Sequence, residues 1–408
     1  MMESRSGFLV AIRNLNKCQN CGVCEEIVPC QAGTVGNTSE CSGCGACYLS
    51  CPNEAIELER VERKKEIAIW VDGEKFYVPE KITVLKALEI LGYKISKFPR
   101  KGQIFAPCET GGCYSCAVEI NGQKMPSCVT KVEEDMRIAT ETERTVRLVH
   151  GWMGHPVGGV GTPWWLKGRH YIEAAAFACG CNLRCPQCQN WSTTYCGKGK
   201  PLTPREAAAM MTKTRRYYGV DRMAISGGEC TLNREWLLQY IKELRDMNRD
   251  EKARFHVDTN TTILTEDYIE ELVESGMTDI GIDIKGLEPE TFIRITGIKD
   301  RDLAEEYLRT TWKAFKCLIE RYREKVFIGI GIPFNRNLIS MEEVIKIGEE
   351  IAKADPEVQV CVLDYRAEFR RRDISRPSFR EMFEIWRNLK ALGLKNVICQ
   401  TVRGYIGP

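Results

Sequence analysis

The chain is poor in histidine, with four in 408 residues, and His150, His155, His170 and His256 fall in no metal-binding spacing such as H-E-x-x-H. Histidine-centred metal catalysis is thereby set aside. The chain also lacks a charge excess: 58 Lys and Arg against 56 Asp and Glu leave a net charge of +2, which argues against nucleic acid as a partner. No stretch approaches the roughly 18 apolar residues of a membrane span. The opening MMESRSGFLVAIRN has no apolar run long enough for a signal peptide, so the expected compartment is the cytoplasm. Cysteine, by contrast, is abundant, with 21 residues. In a reducing compartment clustered cysteines bind metal or do chemistry more often than they form disulfides.

The length exceeds that of one ordinary domain. Cys18 to Cys51 crowd a segment that ends in the strand-like AIELERV, and the charged run 59–66 follows, bounding a first module at 1–63. From Ile67, IAIWVDGEKFYVPE reads as two strands around Asp72-Gly73 and TVLKALEILGY as a helix, a second module over 64–145. Residues 146–170, rich in Gly and Trp, read as a connector packed against another part of the chain. Over 171–408 the apolar runs IEAAAFA, RMAISGG, RFHVDTN, DIGIDI, KVFIGIGIP and VQVCVLDY alternate with helical stretches. That pattern predicts an α/β fold with a parallel sheet, open or barrel-like, and functional residues at the C-terminal strand ends.

Cys18, Cys21 and Cys24 with Cys30, then Cys41, Cys44, Cys47 and Cys51 before a proline, form a repeated half-motif. Three cysteines at two-residue intervals wrap three corners of a cubane, and the fourth ligand comes from the other half. One [4Fe-4S] cluster would take Cys18, Cys21, Cys24 and Cys51, and a second Cys41, Cys44, Cys47 and Cys30. The segment resembles bacterial two-cluster ferredoxins, although Cys30 follows five intervening residues rather than three. In the second module Cys108, Cys113, Cys116 and Cys128 give C-x4-C-x2-C-x11-C, plant-type [2Fe-2S] spacing, with Gly111 and Gly112 letting the loop bend over the cluster. Structural zinc is the alternative in both places. The surrounding strands and helix resemble the β-grasp fold of such ferredoxins.

In AFACGCNLRCPQCQN only Cys181, Cys185 and Cys188 form a local set, C-x3-C-x2-C, with Cys179 or Cys196 able to complete it as a fourth ligand. The motif resembles the radical S-adenosylmethionine (SAM) superfamily, in which three thiolates leave one iron open for the cofactor. GCNLRCPQCQN is most similar to the activating enzymes of glycyl-radical enzymes. Ser226-Gly227-Gly228-Glu229 on the second strand resembles the family's GGE motif, whose glycines approach the SAM amino group while the glutamate supports it. Asp283-Ile284-Lys285 resembles the activases' D-x-K, implying that the lysine pairs with the methionine carboxylate. Asp258-Thr259-Asn260 and Thr296-Gly297 continue the likeness over most of 172–370. Where those activases have LPYH, this chain has Leu363-Asp364-Tyr365-Arg366, so Arg366 is expected to supply the cation.

The resemblance implies a partial (β/α)6-type barrel preceded by an α+β two-[4Fe-4S] ferredoxin-like domain and a β-grasp [2Fe-2S] domain. It also implies SAM and a third [4Fe-4S] cluster. An external electron donor such as ferredoxin or flavodoxin is expected. The product of the chemistry would be an activated glycyl-radical enzyme or a directly modified peptide, lipid or small molecule. An electron-transfer component of a larger oxidoreductase is the competing class. Activases generally carry extra clusters after the cysteine triplet, whereas here they precede it. His150, His155, Cys230, Cys317, Cys361 and Cys399 are read as structural, Arg370 to Arg372 as a solvated loop, and the terminal TVRGYIGP as a chance likeness to a glycyl-radical loop.

Overall fold

The computed structural model describes residues 7–156, 159–165 and 172–408; His170 and part of the connector lie outside them. In chain order the strands are β1 (Phe8–Arg13), β2 (Ile56–Val61), β3 (Glu66–Val71), β4 (Glu74–Pro79), β5 (Ile95–Ser96), β6 (Ile104–Phe105), β7 (Ala117–Ile120), β8 (Gln123–Pro126), β9 (Met136–Ala139), β10 (Val149–Pro156), β11 (Ile172–Ala178), β12 (Arg222–Gly227), β13 (Arg254–Thr259), β14 (Asp279–Asp283), β15 (Phe327–Phe334), β16 (Gln359–Asp364), β17 (Asn396–Thr401) and β18 (Gly404–Ile406).

β1 and β2 pair antiparallel, and the first eight cysteines lie on the chain between them. β3 and β4 make a hairpin whose Asp72 and Gly73 both have positive φ, 50° and 88°, as a two-residue type I′ turn demands. With β9 parallel to β3, these strands belong to a five-stranded sheet of order β4-β3-β9-β7-β8. The helix Val84–Ile90 starts where the Thr83 side chain accepts the Lys86 N–H.

β11 to β17 lie side by side in chain order, every neighbouring pair parallel, and antiparallel β10 and β18 close the two edges. The expected partial barrel is present, with a seventh parallel strand, NVICQT, beyond the six apolar runs. Buried on both faces, the inner strands read as continuous hydrophobic runs. β10 does not, which is why it passed for connector: it is a half-exposed edge strand, and a bulge between His150 and Met153 breaks its alternation. The described part of the connector proper packs inside the ring of strands, where Val160 and Gly161 lie against Gly281, Gly329 and Gly331.

The modules are locked together by buried polar contacts. The Arg147 guanidinium, fully buried, donates to the carbonyls of Cys230 (2.6 Å), Cys179 (3.1 Å) and Glu229 (3.2 Å) and stacks over Trp236. Asn233 Nδ2 donates to Cys113 O and Val146 O, and Ser115 Oγ to Leu232 O. The solvated loop expected at Arg370 is a dock instead. Its guanidinium donates to Tyr48 O (2.6 Å), Leu49 O (3.1 Å) and Cys51 O (3.0 Å), capping carbonyls at the end of the first module's helix Ala46–Ser50.

Candidate functional site

The C-terminal ends of the parallel strands enclose a cavity of about 380 Å³. Cys181, Cys185 and Cys188, on the loop after β11, line it with Ser226, Gly227 and Gly228 at the end of β12, Asp258 and Asn260 at the end of β13, and Asp283 and Lys285 at the end of β14. The cysteine loop is pinned from below by the helix Pro289–Thr296: Gln187 Nε2 donates to Ile295 O and Arg184 N to Thr296 O, both at 2.8 Å. Thr296-Gly297 thus acts on the loop, with Gly297 ending the helix in the left-handed region (φ 70°). Asn260 Nδ2 faces Cys181 Sγ at 3.6 Å and Asn182 Oδ1 at 3.0 Å.

Two expected members stand elsewhere. Arg366 is exposed and outside the cavity, whereas Leu363 and Tyr365 line it. Within β16 alternation turns Leu363 inward and Asp364 outward to Arg376 (2.7 Å), and past the strand's end Arg366 is exposed. Tyr365 takes the inward place, its hydroxyl 3.4 Å from Lys285 Nζ. Glu229 is 1% exposed and behind the wall, its carboxylate accepting from Thr231 N and Oγ1, Thr259 Oγ1 and Asn260 N at 2.6–3.0 Å. It is a positioning residue that ties the ends of β12 and β13 together. His155, read as structural, lines the cavity with Glu173 and His256. No periodic signal marks these residues in the sequence.

Electrostatics divide the cavity wall. Burial pulls the Lys285 ammonium down, but Asp283 at 2.6 Å outweighs it and holds the group charged. Burial pushes the Cys185 thiol up to about 12 and raises Cys181 and Cys188 as well, so these sulfurs become thiolates only when a metal displaces their protons. Asp258 is raised to about 6 by burial, with Asp283 adding to the shift and His256 and the Ser226 hydroxyl, at 2.6 Å, opposing it. A carboxyl raised from an unfolded value of about 3.9 contributes stability only while protonated, and that contribution is lost as pH climbs through 6. Asp258→Asn is therefore expected to raise stability by roughly 1–3 kcal/mol at pH 8, a gain that shrinks below pH 6. Urea midpoints across pH 5–8 check this; a gap that does not change with pH would contradict it.

The upstream cysteines gather in the expected sets. Cys18, Cys21, Cys24 and Cys51 line one cavity, of about 120 Å³, and Cys30, Cys41, Cys44 and Cys47 another. Donors already face several of these sulfurs, among them Ala11 N to Cys41 (3.4 Å) and Ala55 N to Cys51 (3.3 Å), the kind of contact that tunes cluster potential. Cys108, Cys113, Cys116 and Cys128 are all buried, with Cys108 and Cys113 Sγ 3.1 Å apart. Their loop packs directly on the cavity's cysteine loop. A Cβ on Gly180, which lies at φ 85°, would come within 2.9 Å of Cys113 Cβ and 3.1 Å of Cys108 Cβ, so only glycine permits this approach. Arg184 bridges the two loops, donating to Cys181 O at 2.7 Å and Cys108 O at 2.9 Å.

Comparison with known proteins gives three family matches. Residues 176–348 match the radical SAM superfamily, 64–143 a 2Fe-2S iron-sulfur cluster binding domain, and 34–57 a 4Fe-4S binding domain. A probable GTP 3′,8-cyclase of Methanococcus aeolicus is 29% identical over 29% of this chain and 38% of its own length. A component of the NADH-quinone oxidoreductase of Mycobacterium tuberculosis is 32% identical over 23% of this chain and 12% of its own, so the chain spans well under half of these relatives. Among solved structures, the FeFe-hydrogenase maturase HydG of Carboxydothermus hydrogenoformans superimposes with a TM-score of 0.40 at 17% identity, covering 54% of this chain and 50% of that one. Coproporphyrinogen III oxidase (HemN) of Escherichia coli gives 0.34 at 15% identity, covering 46% and 43%. Among the described residues no helix is long and apolar enough to cross a membrane.

Proposed function

Because this chain is a radical SAM enzyme with 2Fe-2S and 4Fe-4S binding domains upstream of its barrel, we propose that it activates a partner protein by abstracting a hydrogen atom from a glycine. The carrying observation is that Cys181, Cys185, Cys188, Asp258 and Lys285 all face one cavity at the strand ends. When bound, the [4Fe-4S] cluster and SAM supply an electron and a 5′-deoxyadenosyl radical. The three sulfurs, as thiolates, would hold three of the cluster's irons. The Lys285 ammonium, kept charged by Asp283, would receive the methionine carboxylate, with Asp258 and Ser226 on the ribose or amino side and the Gly227-Gly228 backbone alongside. Asn260 orients Cys181, and Glu229 and Tyr365 hold Asn260 and Lys285 in place.

The donor set fits the cofactors: three soft sulfurs, with a cation and carboxylates lining the same cavity. A cavity of about 380 Å³ lies at the small end of the roughly 300–1,000 Å³ usual for ligand sites. A cubane and a nucleoside leave little enclosed room, which favours a substrate that reaches in from the mouth as a polypeptide loop. The contact between the Cys108/Cys113 loop and Gly180 supports an electron relay from the [2Fe-2S] site, with the two [4Fe-4S] sites behind it and ferredoxin or flavodoxin as the external donor. The similarity to GTP 3′,8-cyclases over 29% of the chain favours a second reading, direct modification of a small molecule.

Anaerobic reconstitution with dithionite and SAM is expected to yield 5′-deoxyadenosine. With a glycyl-radical protein deuterated at glycine, label should appear in that product. Label arriving only from a small molecule would favour the second reading, and no 5′-deoxyadenosine from a chain carrying all its clusters would overturn both.

A further inference from the structure

Cys179 and Cys196 are the two cysteines near the triplet that the cavity does not use. Both are buried, and neither lines the cavity with Cys181, Cys185 and Cys188. They meet each other and half-buried His150 instead. One ligand atom from each of the three lies within 4.8 Å of the other two. Tetrahedral ligation by two sulfurs at about 2.3 Å and one imidazole nitrogen at about 2.0 Å needs ligand atoms about 3.5–3.8 Å apart, a closure that side-chain rotation supplies.

We propose that His150, Cys179 and Cys196 bind one thiophilic divalent metal ion, zinc, at a site separate from the iron-sulfur clusters. The ligands come from three places already fixed by backbone bonds. His150 is on β10; Cys179, just past β11, donates its N–H to Leu148 O at 3.0 Å; and Cys196 follows the helix Trp191–Thr194, its N–H on Thr193 O at 3.2 Å. Gly180 N donating to Thr194 O at 3.1 Å ties the last two together. The site is thus preorganised, which lowers the cost of closing it. Two thiolates and an imidazole suit zinc and leave a fourth position, and half-buried His150 gives it access to solvent.

The location gives the ion a purpose. The Gly112 backbone of the [2Fe-2S] loop packs so tightly here that a Cβ would sit 2.7 Å from Cys179 Cβ and 2.5 Å from Cys196 O. Gly197, next to Cys196, abuts Thr110 of the second module and Pro29 of the first, and its N–H donates to Ile27 O at 2.9 Å. An ion held by His150, Cys179 and Cys196 staples the point where all three modules cross, beside both inner cluster loops.

The test is metal analysis of anaerobically reconstituted full-length protein, compared with Cys196→Ser and His150→Ala. The parent is expected to hold about one more zinc per chain than either variant, at equal iron, with zinc-edge absorption showing two sulfurs and at least one nitrogen. Equal zinc in all three proteins would overturn the proposal. So would iron missing from Cys196→Ser, which would make Cys196 a cluster ligand, or a Cys179–Cys196 disulfide found by mass spectrometry in the anaerobic parent. Should Cys196→Ser fail to fold, His150→Ala, at the half-exposed rim, decides by zinc content alone.

Discussion

Cys185→Ala, reconstituted anaerobically, is expected to release no 5′-deoxyadenosine while keeping the spectroscopic signals of the upstream clusters. The loss should be complete to background, because no other thiol can take the place. Cys185 lies with Cys181 and Cys188 on one wall of the cavity, whereas Cys179 and Cys196 turn away toward His150 and toward each other. Cys230, the next nearest by sequence to the cavity wall, is buried with its thiol donated to Asp258 O at 3.2 Å. A cubane left with two thiolates is not retained, so iron should fall by about four per chain and no more. Product formation at the parental rate would show that the triplet is not the open-iron site. Loss of much more than four irons would mean that the clusters depend on one another for assembly.

Arg147→Met should be the most destabilising single change outside the cysteines. Three backbone carbonyls at the ends of β11 and β12 would lose their donor inside the protein, and each buried unpaired group costs about 1–3 kcal/mol. Methionine retains part of the volume and some contact with Trp236, which offsets a fraction. The net loss expected is about 3–5 kcal/mol, or a fall of roughly 10 °C in the midpoint of the barrel's transition for a unit of this size. Scanning calorimetry under anaerobic conditions measures it. Arg147→Lys should recover only part, since an ammonium keeps the charge but cannot fork toward three carbonyls. A midpoint within about 2 °C of the parent would show that the guanidinium is dispensable.

Much of the site was legible because metal chemistry writes itself into local spacing. Cys41 to Cys47 and Cys108 to Cys116 each fall within one short segment, whose geometry depends on residue intervals, which a sequence displays. The strand ends carrying Ser226, Asp258 and Lys285 were legible for a related reason: inner strands of a parallel sheet are buried on both faces and stand out as apolar runs. Arg366 misled because the motif was matched by composition. Which of Tyr365 and Arg366 faces the cavity is decided past the end of β16, where Tyr365 N donates to Phe334 O of β15 and Arg366 is exposed. The Glu229 carboxylate serves the backbone of Thr231 and Asn260 and the hydroxyls of Thr231 and Thr259, partners that no spacing displays.

By itself, then, the sequence determined the three modules, the cysteine sets and the order of residues along the strand ends, since all of these rest on short-range intervals and burial patterns. The tertiary structure alone decided how the modules touch. Gly180 against Cys113, Arg147 across β11 and β12, Arg370 on the helix of the first module, and His150 beside Cys179 and Cys196 are contacts between residues dozens to hundreds apart. Such contacts come from packing of the whole chain, where position in space and not interval in sequence sets the partner.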